Sequence, residues 1–85
     1  MDIFNSKSEA KLYILTRFRE VYNSICCIQI NDNTPYEIIA IQFDLEKQKD
    51  DFITFKFAFG YWANKIYLDD VINGCITNIN NILRT

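Results

Sequence analysis

The stretch ITFKFAF, residues 53–59, decides the fold, because Ile or Phe alternates in it with Thr, Lys and Ala. Side chains of a β-strand point to opposite faces in turn, so this alternation predicts a strand with one buried and one exposed face. The preceding run, residues 36–45, has apolar residues at every odd position from Ile39 to Leu45 and polar ones at Gln42 and Asp44. The charged segment EKQKDD, residues 46–51, connects the two runs. Together they predict an antiparallel hairpin with its odd-numbered face in the core.

A further strand is predicted before the hairpin, over residues 25–30, where Cys26, Ile28 and Ile30 alternate onto one face. The segment NDNTP, residues 31–35, is rich in turn-forming residues, and its proline cannot donate a hydrogen bond to a sheet. The chain should therefore reverse there, which makes three sequential strands an antiparallel sheet.

An amphipathic helix is predicted on each side of these strands. Ser6 and Glu9 have the spacing of a capping box, so the first helix should begin near Lys7. The second has an apolar stripe over residues 71–83, with Asp69 suited to cap it. Gly74 inside that helix costs about 1 kcal/mol relative to Ala, which we interpret as a close approach to a neighbouring element. Residues 61–67 fit a loop, a short fourth strand or an early helical turn.

The 85 residues are the length of a single domain, residues 1–85, and the order α-β-β-β-α predicts a two-layer α+β sandwich. Both helices would cover the same face of the sheet. In element order alone this resembles the double-stranded RNA-binding domain, whose second helix opens with basic residues that grip phosphates. The corresponding residues here are Leu68, Asp69 and Asp70. The resemblance therefore implies the architecture but not the RNA contact, since two carboxylates would repel a phosphate backbone.

The composition argues against most classes of catalytic, metal-binding and phosphate-binding site. The chain has no histidine, which excludes Ser-His and Cys-His nucleophilic pairs and histidine-metal sites, and it has no glycine-rich phosphate loop. The acidic pairs Asp50-Asp51 and Asp69-Asp70 are favoured locally, in a turn and at a helix start. We expect no catalytic residue, no metal and no cofactor, and hence no enzyme. A net charge of −2 argues against nucleic acid as the partner.

The three cysteines show no C-x-x-C spacing and lie in apolar patterns, so we expect buried structural thiols. Adjacent Cys26 and Cys27 should point to opposite faces of their strand and not bridge each other. Without a signal-peptide pattern or a long apolar run, the sequence predicts a reduced protein of the cytoplasm that does not enter a membrane, and of the host cytoplasm if a phage encodes it.

The function class that these exclusions leave is binding to another protein. Tyr and Trp concentrate at interface hot spots, so Tyr61 and Trp62 are the first candidates for a partner contact, although Trp62 equally fits an anchor for the last helix. Carboxylates near the hairpin are expected to flank them and to dock a basic groove; they are Asp44, Glu46, Asp50 and Asp51. The outer sheet face is expected to be unusually apolar, covered by the chain's own first residues or by a partner. An alternative self-association face would comprise Ile25, Tyr36, Ile38 and Phe52.

These observations predict a stoichiometric protein-binding inhibitor or adaptor that acts by steric and electrostatic occlusion. Small size and a composition rich in Ile and Asn, typical of A/T-rich coding sequence, favour a phage or mobile element as its source. The type is similar to anti-CRISPR or immunity proteins, acting on a host enzyme or defence complex. Two alternatives stay open. One is a nucleic-acid-associated module that uses Lys7, Lys11, Arg17 and Arg19, and the other is a homodimeric structural protein.

Overall fold

The computed structural model describes residues 3–33 and 37–85. Their elements are α1 (Lys7–Val21), β1 (Cys26–Asn31), β2 (Ile39–Gln48), β3 (Asp51–Phe59) and α2 (Lys65–Arg84). The strands form one antiparallel sheet in the order β1-β2-β3. The predicted α+β fold and its element order are thus confirmed. Thr34, Pro35 and Tyr36, which include part of the predicted turn, lie outside the described residues.

The core lies between the two helices and one face of the sheet. As predicted, the odd-numbered residues of β2, from Ile39 to Leu45, are buried together with Phe55 and Phe59 of β3. Phe18 of α1 stands at the centre, with its ring 5.2 Å from that of Phe43 and 6.0 Å from that of Phe57. The helices complete the core with Ala10 and Ile14 of α1 and Leu68, Ile72 and Ile79 of α2.

The β2–β3 hairpin is tighter than the sequence predicts. Glu46 pairs with Phe52, and Asp51 already belongs to β3, so the expected connector of residues 46–51 shrinks to a turn at Lys49 and Asp50. Asp50 takes the left-handed conformation, with φ 63°, and its N–H donates to Glu46 Oε1 at 2.9 Å. Asp tolerates this conformation well, which explains its place in the turn.

Helix α2 begins earlier than predicted. Its N-cap is Asn64, whose side-chain oxygen accepts a hydrogen bond from the Tyr67 N–H at 3.1 Å, so the predicted cap at Asp69 is wrong. Residues 61–63 form a turn, and in the described part of the chain Asn64 makes an isolated bridge with Ile3 in place of a fourth strand. The helix does not open on acids: Asp69 lies in its second turn.

Asp69 joins the two helices. It accepts hydrogen bonds from the Tyr13 hydroxyl and from Arg17 Nη1, the latter at 2.6 Å, while Arg17 Nη2 donates to Asn73 at 2.6 Å. Gly74 is exposed, and a Cβ there would meet nothing within 4 Å. The predicted close approach at this glycine is therefore wrong.

Strand β1 is irregular. The register moves from the pair Cys26–Asp44 to the pair Gln29–Gln42, which inserts an extra residue into β1, and Cys27 within this bulge has φ 56°. Since cross-strand partners share a face, Cys26 lies on the outer face with Asp44 and not with Ile28, which packs on the core. The predicted face of Cys26 is wrong for this reason. The expectation of buried thiols also fails: Cys27 is exposed, and Cys26 and Cys75 are half-buried.

Over residues 3–33 and 37–85, no helix combines the length and the apolar character that a membrane crossing requires.

Candidate protein-binding surface

Tyr61 is the most exposed large apolar side chain among the described residues. It follows the end of β3, is 78% exposed and has φ 49°. Its ring touches that of Tyr67 edge to face, with 5.5 Å between centroids. A left-handed conformation in a residue with a bulky side chain costs about 1–2 kcal/mol. The fold therefore holds a large aromatic ring in solvent at the expense of backbone strain, a combination concentrated at binding sites.

Other exposed apolar side chains lie on the segments that adjoin the Tyr61 turn: Ile3, which bridges Asn64, and the first turn of α2. Ile3 and Ile66 are 61% and 62% exposed, and Tyr67 is 45% exposed. A groove of about 460 Å³ runs past Ile38, Tyr61 and Trp62, and a second of about 350 Å³ lies between Ile3 and Ile66. Ala63 lines both grooves. We call this surface the aromatic end and define it as Ile3, Tyr61, Trp62, Ala63, Ile66 and Tyr67.

The backbone of the aromatic end is fixed on two sides. The N–H of Phe4 donates to the carbonyl of Ala63 at 2.8 Å, and the Phe4 ring packs 5.2 Å from that of Tyr13 on α1. On the other side the Asn64 cap starts α2, which places Ile66 and Tyr67 in its first turn. Ile3 is thus part of the aromatic end and Phe4 lies beside it, so the expectation that they fold over the outer sheet face is wrong.

Trp62 and Tyr61 have different environments. Trp62 is half-buried and packs against the core, while part of its surface lines the larger groove. Trp62 therefore anchors the turn and contributes an edge to the surface, whereas Tyr61 is exposed and is not part of the core cluster.

The structure does not bring the predicted carboxylates to the aromatic end. Asp50 and Asp51 lie at the hairpin turn where β3 begins, and Tyr61 follows the end of this nine-residue strand, whose length is about 26 Å. Glu46 lies next to the same turn. Asp44 is midway along the outer face, where its Oδ1 accepts a hydrogen bond from the Thr54 hydroxyl at 2.6 Å. The expectation that these carboxylates flank the aromatic pair is wrong, because the hairpin holds the two groups apart.

The alternative self-association face is also dispersed. Ile25 packs against the core, Ile38 lines the groove at the aromatic end, and Phe52 lies on the outer face beside the hairpin turn. Tyr36 lies outside the described residues. The outer face itself is mixed rather than apolar: a groove of about 440 Å³ runs along it between Ala40, Ala58 and polar side chains. Those polar residues are Gln29, Asn31, Gln42 and Lys56.

Most of the α1 cations proposed for nucleic acid have partners within the chain. Lys7 Nζ donates to the Asp32 carbonyl at 2.9 Å, and Lys11 forms an ion pair with the Asp32 carboxylate at 3.0 Å. The hydrogen bond and charge of Lys11 lower the pKa of Asp32. Arg17 forms an ion pair with Asp69. Of these four cations, only Arg19 is exposed and forms neither an ion pair nor a side-chain hydrogen bond with any described residue. A phosphate backbone would have to displace these contacts.

No group of three or more Cys, Asp or Glu side chains within residues 3–33 and 37–85 is arranged to hold a metal ion. Comparison of the chain with protein-family models, with curated proteins and with solved structures gave no match.

The sequence pattern identified Tyr61 and Trp62 but missed Ile3, Ile66 and Tyr67. The signal available was Asn64, a favoured N-cap residue. A helix that starts there places Ile66 and Tyr67 off the stripe that buries Leu68 and Ile72.

Proposed function

We propose that this protein works by binding another protein through its aromatic end, as a stoichiometric inhibitor or adaptor. The observation that carries the proposal is Tyr61, a ring that is 78% exposed and held in a left-handed backbone conformation beside three further exposed apolar side chains. Nothing in the packing of the described chain requires a ring at this position. A partner that buries it gives a reason for both the exposure and the strain.

The composition of the aromatic end suits a protein partner. Tyrosine and tryptophan dominate interface hot spots, because they bury a large area with few rotatable bonds. The two adjoining grooves offer concave sites for side chains of the partner on either side of Ala63. Fixed backbone on both flanks lowers the entropy lost on binding.

The carboxylates of the hairpin have a separate role in this proposal. A partner that contacts both Tyr61 and Asp51 must extend along the molecule for about 26 Å. Asp44, Glu46, Asp50 and Asp51 then act by attracting a basic partner surface, which accelerates association more than it slows dissociation. Occlusion of a functional surface on the target would be steric at the aromatic end and electrostatic along the hairpin.

We further propose that the target is an enzyme or defence complex of a host cell and that a phage or mobile element encodes the protein, as in anti-CRISPR and immunity systems. Small size and the composition rich in Ile and Asn support this part of the proposal. It places the protein in the host cytoplasm, with the target there as its partner.

The test is capture of the target with a photo-crosslinking amino acid at position 61, 66 or 67, in lysate of candidate host cells. Position 52 is the matched control, because Phe52 is exposed but lies at the opposite end of the hairpin. We expect one protein to crosslink from the aromatic end and not from position 52. With that protein purified, Ile66→Glu should weaken binding at least tenfold while Phe52→Glu leaves the affinity within twofold.

The other outcomes contradict the proposal. Crosslinking from position 52 alone, together with a mass that rises with concentration and falls to the monomer in Phe52→Glu, would indicate a homodimer through the sheet. Retention on nucleic acid that weakens steeply with salt and is lost in Arg19→Glu would indicate the nucleic-acid module.

A further inference from the structure

The bulge in β1 keeps two adjacent cysteines off the buried face of the sheet. In a regular strand Cys26 and Cys27 would point to opposite faces. Here Cys26 is the register partner of Asp44 on the outer face, and the left-handed conformation of Cys27, φ 56°, redirects the chain so that Cys27 is exposed next to it. The Cys26 thiol donates to the Asp44 carbonyl with 3.8 Å between Sγ and O.

The backbone of Cys27 is strained without a structural reason of the usual kind. Left-handed residues in turns are most often Gly, Asn or Asp, as Asp50 is in the hairpin. Cys27 lies within an edge strand, where a glycine in its place would form the same bulge at lower cost. Non-glycine outliers and bulges of this sort concentrate at functional positions.

We propose that Cys26 and Cys27 form a dithiol modification site that reacts with low-molecular-weight disulfides and closes to a vicinal disulfide. The site is separate from the aromatic end, and the proposal does not rest on the protein-binding function proposed above.

The reaction has two exchange steps. The thiolate of exposed Cys27 attacks one sulfur of the disulfide RSSR, which forms a Cys27–S–S–R mixed disulfide and releases one RS⁻. The thiolate of Cys26 then attacks the Cys27 sulfur, which forms the Cys26–Cys27 bond and releases the second RS⁻. Two electrons pass from the dithiol to RSSR, and the two thiol protons end on two RSH molecules.

The environment of Cys26 determines which of the two thiols attacks first. Partial burial, the neighbouring Cys27 thiol and the carboxylates of Asp44 and Glu46 raise the pKa of Cys26. Cys26 is therefore protonated at neutral pH and suited to the second, intramolecular step, in which proximity compensates for a small thiolate fraction. Closure should accelerate as pH rises, since the charges that face Cys26 from β1 and β2 all disfavour its thiolate.

The closed form is readily reversible. Adjacent Cα atoms are about 3.8 Å apart across a trans peptide, shorter than the range of about 4.4–6.8 Å found for most disulfides. Strain of this kind makes a disulfide easier to reduce. The chemistry fits a signal that responds to an oxidised disulfide pool and is reset by ordinary thiols.

The experiment incubates the folded protein with oxidised glutathione and follows the intact mass and the released glutathione. Wild type and Cys75→Ser should lose two hydrogen atoms and retain no adduct, because Cys26 displaces the second glutathione. Cys26→Ser should accumulate one stable glutathione adduct on Cys27. Cys27→Ser should react at least tenfold more slowly, since Cys26 is half-buried and its pKa is raised.

Two results would overturn the proposal. Wild type could hold its glutathione adduct as long as Cys26→Ser does, which would mean that Cys26 does not resolve it. Closure could also disappear in Cys75→Ser, with peptide mapping that joins Cys75 to β1. Cys75 is the matched control because it is half-buried in α2 and burial raises its pKa as well. Circular dichroism of each variant before oxidation verifies that the fold is intact.

Discussion

The two ends of the β2–β3 hairpin contain unusual residues for different reasons. At the turn, the left-handed Asp50 and the cluster of acids satisfy the local geometry: Glu46 accepts the Asp50 N–H, and Asp is at home in that conformation. At the aromatic end, Tyr61 is equally left-handed; its carbonyl accepts a hydrogen bond from the Asn64 N–H at 3.1 Å, but this backbone contact requires no aromatic side chain, and the ring stands largely in solvent. A residue that local structure explains is weak evidence for function, whereas one that it leaves unexplained is a strong candidate.

Among the substitutions that test this comparison, we expect the largest change in stability at Trp62. Its neighbour Tyr61 is exposed, but Trp62 packs against the core. We expect Trp62→Ala to lower the free energy of unfolding by about 2–4 kcal/mol, somewhat less than for a fully buried aromatic ring. Tyr61→Ala should change it by less than about 1 kcal/mol. Urea denaturation monitored by circular dichroism measures both. Equal losses in the two variants would contradict the division into an anchor and an exposed contact.

A smaller effect is expected at Asn64, which starts α2 and so positions Ile66 and Tyr67. Asn64→Ala removes the acceptor for the Tyr67 N–H and should lower the free energy of unfolding by about 1 kcal/mol. Asn64→Asp, which retains a capping oxygen, should stay within about 0.5 kcal/mol of wild type. Thermal unfolding of the three proteins compares them. A loss in the aspartate variant as large as in the alanine variant would show that Asn64 does not act as a cap.

Asn64 also shows which parts of the fold could be predicted from the sequence and which could not. Strict alternation in β2 and β3 and the Ser6 cap of α1 predicted the sheet, its buried face and the first helix, because these depend on local periodicity. The start of α2 was missed, since Asp69 and Asn64 are both competent caps and only tertiary contacts choose between them. In the fold Asp69 is already bound to Tyr13 and Arg17, residues more than 50 positions away.

Only part of the candidate surface could be predicted, because the rest of it also depends on tertiary contacts. The aromatic pair that follows Gly60 predicted Tyr61 and Trp62 as contact residues. The position of Ile3 beside them depends on its bridge to Asn64, a contact across 61 positions. The bulge at Cys27 left no trace in the pattern of β1, because alternation there suggested a regular strand. Distances along the hairpin, which separate the carboxylates from Tyr61, required the pairing register.

The smallest effects test the contrast most directly, because the difference between a glycine and an alanine variant isolates the backbone. At Tyr61, the glycine variant relieves the left-handed strain while the alanine variant keeps it, so Tyr61→Gly should be more stable than Tyr61→Ala by about 1 kcal/mol. Both variants should lose affinity for the partner equally, since both lack the ring. Chemical denaturation and a binding titration measure the two quantities on the same samples.

At Asp50 the corresponding glycine variant should differ from wild type by only a few tenths of a kcal/mol, since Asp already tolerates the conformation. Its affinity for the partner should fall no more than that of Asp51→Asn, because both variants remove one carboxylate from the same end. If Tyr61→Gly raises stability and abolishes binding while Asp50→Gly does neither, strain at the aromatic end is retained for function and strain at the turn for folding. If the two glycine variants behave alike, Tyr61 is an ordinary turn residue and the aromatic end loses its main support as a binding surface.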